Sequence, residues 1–223
     1  MIVIGSIATL AIFLFVGWAV STEMFQQRAW RKRVESGDVA IVGALIEEAL
    51  GTWRSARPPR GTPASLWAGV QGVQLVAVTQ DSATLSTSAE AEFRSEDGQR
   101  VRTATALDSA IALASKVIDM MLYDVPNLSL SRVRVDVYST FTGSDGTPTQ
   151  APILSTTADR HIGDALTWEA LTSTEILGRF ETLFAAGDSG QGLPIELPPV
   201  IGEPPIAQPE VNPPVGEWHE GGR

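Results

Sequence analysis

TLSTSAEAEF, residues 84–93, followed by TALDSAIALASKVIDMM, residues 105–121, decides the fold class. In the first stretch Leu85, Thr87, Ala89, Ala91 and Phe93 alternate with Thr84, Ser86, Ser88, Glu90 and Glu92. A period of two is that of a strand packed on one side and wet on the other. In the second, Thr105 and Asp108 stand at capping-box spacing, and Leu107, Ile111, Ala114, Ile118 and Met121 recur along one helical stripe until Pro126. Strand, then helix, is the nucleus of the reading.

Working outward from it, Val70–Val78 reads as a strand turned at Gln80-Asp81-Ser82, and Glu96-Asp97-Gly98 is a hairpin turn into a third strand at 100–103. There Arg100 and Arg102 are expected to face Glu90 and Glu92. Further upstream, Ser36 can cap a helix carrying Val39, Val42, Ile46 and Ala49 on one face, with Gly51 as its C-terminal cap and a Pro/Gly loop at 57–63. Downstream, Arg132–Val137 alternates with its valines inward, Gly143–Gly146 turns the chain, and Pro152–Ala158 pairs back as an edge-tolerant strand. Residues 162–171 read as helix. Thr172 opens a further one bearing Ile176, Leu177, Phe180 and Phe184. The sum is an α+β domain over residues 36–186: a two-layer sandwich of a mainly antiparallel sheet with helices on one face. The meander-then-helix portion resembles a double-stranded-RNA-binding domain in element order. Its helix, however, carries only Lys116 against Asp108 and Asp119, so the likeness implies topology alone.

The N-terminus reads differently. Ile2–Val20 is nineteen residues without charge or proline, enough for a helix of about 28 Å against a hydrocarbon core of about 30 Å. Residues 1–22 are therefore expected to be a transmembrane anchor, with Trp18 at the interface. Segment 23–35 follows as a basic juxtamembrane stretch, its Phe25 and Trp30 toward lipid and its Arg28, Arg31, Lys32 and Arg33 toward anionic headgroups. The positive-inside bias places the N-terminus outside and the domain in the cytoplasm. The net charge is +3 over 22–34, −8 over 35–186 and −5 from 187 onward, summing to −10. An acidic domain does not call for nucleic acid. Residues 187–223 hold eight of the fourteen prolines and six acids and read as a disordered tail acting as a generic spacer, the alternative being that its Trp218-His219 pair is a short docking motif.

Motifs of chemistry are few. There is no cysteine and there are two histidines, and no phosphate-binding, dinucleotide or zinc-protease motif points to a cofactor. Gly187-Asp-Ser-Gly190 matches the tetrapeptide around the serine-protease nucleophile but lacks a strand series before it. Asp159, His161 and Asp164 cluster between a strand and a helix, as metal ligands or an acid–base set would, and as capping acids would too. Tyr123–Asn127 is the most individual loop. These features point to a membrane-tethered, non-enzymatic interaction or accessory domain whose partners are anionic lipid and protein. The alternatives are a small-molecule binding or sensory domain and an enzyme using the 159–164 cluster.

Overall fold

The computed structural model describes residues 38–96, 98–143, 146–202 and 204. The element order is α1 (Val39–Ser55), α2 (Ala64–Gln71), β1 (Gln74–Val78), β2 (Ser82–Ser88), β3 (Glu92–Glu96), β4 (Gln99–Ala104), α3 (Ala106–Asp119), β5 (Arg132–Thr142), β6 (Pro148–Asp159), α4 (Arg160–Gly163), α5 (Ser173–Leu177), β7 (Glu181–Ala186) and β8 (Gly192–Leu193). The chain is an α+β domain with a mixed sheet. Among the described residues no helix is long and apolar enough to cross a membrane. The anchor read at 1–22 and the interface residues Trp18, Phe25, Arg28, Trp30, Arg31, Lys32 and Arg33 lie outside the described residues.

The helix expected after Thr105 forms as α3, its capping box closed in both directions: the Thr105 hydroxyl accepts from Asp108 N at 3.1 Å, and Asp108 Oδ2 accepts from Thr105 N at 3.0 Å. Leu107, Ala114, Ile118 and Met121 of its stripe are buried. They meet Val133, Val135 and Val137 of β5, all fully buried. This aliphatic layer supplies the main driving force for folding. The helix ends in a π-helical turn, Met120–Asp124, and Pro126 follows.

The sheet departs from the expected meander. Its order is β1-β2-β5-β6-β7-β8, with β2 and β5 parallel, while β3 and β4 form a separate two-stranded ribbon. The alternating stretch 84–93 is two strands broken at 89–91. Ala89 N still reaches Tyr138 O at 2.9 Å, and the Glu90 carboxylate then accepts from Thr140 N at 3.0 Å, which ties off the edge of β5 as the chain turns away. Thr84, assigned by alternation to the wet side, is buried. The resemblance in element order to the RNA-binding domain therefore does not extend to the sheet, where β5 takes the place beside β2 that a third meander strand would occupy. Nor does Arg100 pair with Glu90 or Glu92; its guanidinium lies 4.0 Å from the Phe93 ring centroid.

Other boundaries move for identifiable reasons. Helix α1 starts from Asp38, whose side chain accepts from Ala40 N at 3.0 Å, and it runs past Gly51 to bury Trp53. Its last carbonyls are met by Gln71, which donates to Arg54 O and Ala56 O, and by Trp67 Nε1, which donates to Ala56 O. The strand read from Val70 starts four residues later, because Trp67 and Val70 share the buried face of α2. Gly69 in that helix sits so close to Leu113 that a Cβ would come within 2.5 Å of Leu113 Cδ2. Strand β6 is longer than expected and interior, hydrogen-bonded to β5 and β7. Pro152 is tolerated there because it sits at the register shift beyond the end of the β7 pairing. The helix read over 162–171 shrinks to α4 and a 3₁₀ turn at Trp168–Ala170. The Thr172 capping box forms as expected, but α5 stops at Leu177 and Phe184 lies in β7, half exposed.

The segment from 187 onward was read as a disordered tail. Its first part is packed. Gly187–Gly190, the protease-like tetrapeptide, is the hairpin turn between β7 and β8, with Gly190 at φ +72°. The chain then crosses the sheet face opposite the helices. Ile195 N donates to Pro152 O on β6 at 2.9 Å, Arg134 Nη1 on β5 donates to Pro199 O at 3.1 Å, and Gly202 packs against Val78 O on β1. Beneath this strap, Arg134 Nε donates to Asp136 Oδ1 at 2.9 Å and Ser155 Oγ to the same oxygen at 2.6 Å, all three residues buried. Proline composition predicts lack of autonomous structure, but it does not forbid an extended segment from pairing with a preformed sheet.

Candidate functional site

Asp159, His161 and Asp164 are brought to one end of the sheet but do not converge. Asp159 caps α4, accepting from His161 N at 3.0 Å, and lies 3.9 Å from Arg132. Asp164 accepts from the Tyr123 hydroxyl at 3.1 Å. His161 is exposed, beside a shallow depression it shares with Ile162, Leu166 and Arg179. Among the described residues no three His, Cys, Asp or Glu side chains stand together as a metal site.

The organising residue at this junction is one that sequence reading passed over, Arg160. Its Nε donates to Leu130 O at 2.7 Å, its Nη2 donates to Leu122 O, and its guanidinium carbon lies 5.4 Å from the Tyr123 ring centroid. Leu122 lies in the π-helical turn, where the regular ladder has ended and a carbonyl needs a donor from elsewhere. Tyr123 also meets Trp168 edge-on at 5.8 Å, and Trp168 Nε1 donates to Gly163 O at 3.0 Å. Burial, reinforced by the hydrogen bond to Asp164 and its charge, pushes the Tyr123 phenol up to about 12. A Cβ at position 163 would lie 2.6 Å from that hydroxyl, so any side chain there would displace the tyrosine from its bond to Asp164. This constellation locks the end of α3 to the start of α4.

A different place offers unfilled surface. Where β3 and β4 leave the sheet, they overhang α2 and α3 and enclose a cleft of about 1040 Å³. Its floor is Leu66, Gly69, Ala112 and Leu113, and its roof is Ala91, Phe93 and Arg100. Phe93 is 45% exposed, an unusual position for a phenylalanine inside a strand pair. The buried Ser109 hydroxyl on the cleft wall has no hydrogen-bond partner among the described residues.

The polar rim is asymmetric in what it has left to give. Glu90 accepts from Thr140 N and from Ser139 Oγ, Glu92 from Ser65 Oγ, and Asp108 from Thr105 N and Oγ. By contrast, Arg94 and Arg100 on the cleft and Arg102 beside Phe93 pair with no carboxylate among the described residues. Among the described residues these acids are engaged, while the three guanidinium groups have no ion-pair partner and Arg100 lies over Phe93.

No family model, curated protein or solved structure matches the chain. The cleft was not foreseen because it depends on the break at 89–91. Continuous alternation through 84–93 folds Phe93 into the sheet, whereas the break carries it outward. The doublet Ala89 and Ala91 was the available signal, since small residues interleaved with Glu90 and followed by Glu92 make a weak strand centre.

Proposed function

We propose that the chain is a membrane-tethered, non-enzymatic interaction domain that uses the cleft between the β3–β4 ribbon and helices α2 and α3 to hold a protein partner at the membrane. One observation carries this reading: an exposed aromatic, Phe93, roofs an apolar cleft whose Arg94 and Arg100 guanidinium groups have no carboxylate partner among the described residues. Aromatic and arginine side chains in a partly apolar recess are the composition of interface hot spots. A two-stranded ribbon on its own is marginal in water, so a segment laid against it would gain support and give it. The apolar run Ile2–Val20 and the cations at 28–33 support tethering, with the domain on the cytoplasmic side.

The small-molecule reading finds its room in the same cleft, whereas Leu85, Ile118 and Val135 between sheet and helices are fully buried in the core. The two readings separate in one experiment. The full chain and its Phe93→Ser variant are purified from membranes after mild cross-linking. Phe93 is too exposed for its loss to unfold the domain, and circular dichroism checks this. The interaction reading expects discrete protein adducts with the unchanged chain and their loss with Phe93→Ser. Retention of the same adducts by the variant sinks it.

A further inference from the structure

We propose that the outer edge of β7 is a self-pairing surface, on which the same strand of a second copy lies antiparallel about a two-fold axis at Leu183. The inference goes beyond the cleft and does not depend on it.

The edge is open. Residues 181–184 pair with residues 154–157 of β6, and among the described residues no strand pairs with their other side. Strand β8 pairs only with Ala185 and Ala186, and it folds back toward β6: Gly192 packs on Ile153, and Ile195 N donates to Pro152 O at 2.9 Å. An open edge presents a row of N–H and C=O groups ready to pair with another strand, and sheets guard such edges with lysine, proline or a bulge. Strand β7 carries none of these. Thr182-Leu-Phe-Ala-Ala186 is uncharged, and its register against β6 runs without a shift. Leu183 and Phe184, on opposite faces of the strand, are 50% and 51% exposed, and Leu193 beside Ala185 is 38% exposed. Apolar side chains gathered on an unguarded edge mark a contact surface.

The occupant follows from comparing the two edges of the sheet. At the other edge β1 holds an extra residue, Val76, between Leu75 and Ala77, and a bulge of this kind turns an edge away from new partners. Head-to-tail pairing of β7 onto β1 is therefore opposed. Pairing of β7 with itself uses only the unguarded edge and closes at two copies. The sequence suits that symmetry. With the axis at Leu183 the two leucines face each other, Phe184 faces Thr182 of the second copy, and Glu181 faces its Ala185. Opposed residues then share a face of the continued sheet, and no like charges stand opposite one another. The contact is at the small end of interface sizes, so a reversible pair with micromolar affinity is expected.

The test exploits a chain without cysteine. Leu183→Cys places one thiol on each copy, and directly opposed residues of an antiparallel pair have Cα atoms about 4.5–5.5 Å apart, within disulfide range. The full chain carrying it is oxidised with copper–phenanthroline in native membranes. Val101→Cys, 41% exposed on the ribbon, is the control. A linked product of two chains is expected from position 183, at least fivefold more than from 101, and at least fivefold reduced on adding Phe184→Asp, a poor strand residue. Sedimentation of the unchanged full chain in detergent should show a reversible two-copy species that Phe184→Asp abolishes, with circular dichroism confirming the fold of each variant. No product from 183, equal product from 101, or a product indifferent to Phe184→Asp overturns the proposal. A linked product containing a different chain assigns the edge to another protein's strand and overturns the second copy as occupant. Open-ended species larger than the pair overturn the two-fold. None of these results touches the Phe93→Ser adducts, so the docking surface stands or falls separately.

Discussion

Val133, Val135 and Val137 point from β5 into the helices and are fully buried, while Arg134 and Asp136, one residue along, are nearly as buried against an extended stretch of chain. The two faces of the same strand are held by unlike forces. The helix face is stabilised by non-directional burial of aliphatic area, which tolerates volume-conserving change. The strap face relies on the geometry of one ion pair: Asp136 Oδ1 takes Arg134 Nε and Ser155 Oγ, and Arg134 passes the contact on to Pro199 O. A polar pair of this kind adds little net stability but fixes where a strap lies. Arg134 Nη2 has no partner among the described residues, so in the described structure this layer is the less completely satisfied of the two.

That contrast can be broken by mutation. The largest effect is expected from Asp136→Ala, which strands a buried guanidinium: about 3–5 kcal/mol lost in urea unfolding, with faster amide exchange over 195–200. Ile118→Ala, a cavity on the aliphatic face, is expected to cost about 2–5 kcal/mol while leaving strap exchange unchanged. The two variants then differ in which exchange signals they move, and identical patterns would contradict the division of labour. Replacing the pair together, Arg134→Met with Asp136→Leu, is expected to be neutral or up to about 4 kcal/mol stabilising, yet to loosen the strap by exchange. The smallest effect concerns the junction. The phenol of Tyr123 is pushed up to about 12, above the ordinary value near 10 of the unfolded chain. Its contribution is therefore complete below pH 10 and is lost as the pH rises toward 12. Tyr123→Phe should flatten the decline of the urea midpoint over that range. It should not abolish it, because Tyr138 is also raised, by burial and then by Asp136.

The same contrast explains what could be read from the chain. The aliphatic face was legible: the Thr105 box, the Leu107–Met121 stripe and the alternating valines of β5 all write their burial into local periodicity. The strap face was not. Arg134 and Asp136 alternate with the valines as solvent-facing residues would, and nothing local says that residues some sixty positions later cover them. The spacing of Arg134 and Asp136, two apart on one strand face, was the sole hint. Strand order was likewise hidden, since whether β3 or β5 pairs with β2 is a non-local choice fixed by the turn at 89–91. At the 158–164 junction the capping role of Asp159 was legible, but Arg160, between the acids, was not, because its partners Leu122 and Leu130 lie some thirty residues upstream. The cleft depends on both the strand break and the packing of Gly69 on Leu113, neither of which has a periodic signature.

The central claim is that the ribbon cleft is where this domain meets protein. A benzophenone amino acid placed at position 93 of the full chain in its native membrane, compared with one at position 183, tests it most directly. Leu183 is about equally exposed, at 50%, but lies on β7, away from the cleft. Illumination should give discrete adducts with a second protein from position 93 and none in common from 183. Identical adducts from both positions, or none from 93, would contradict the account.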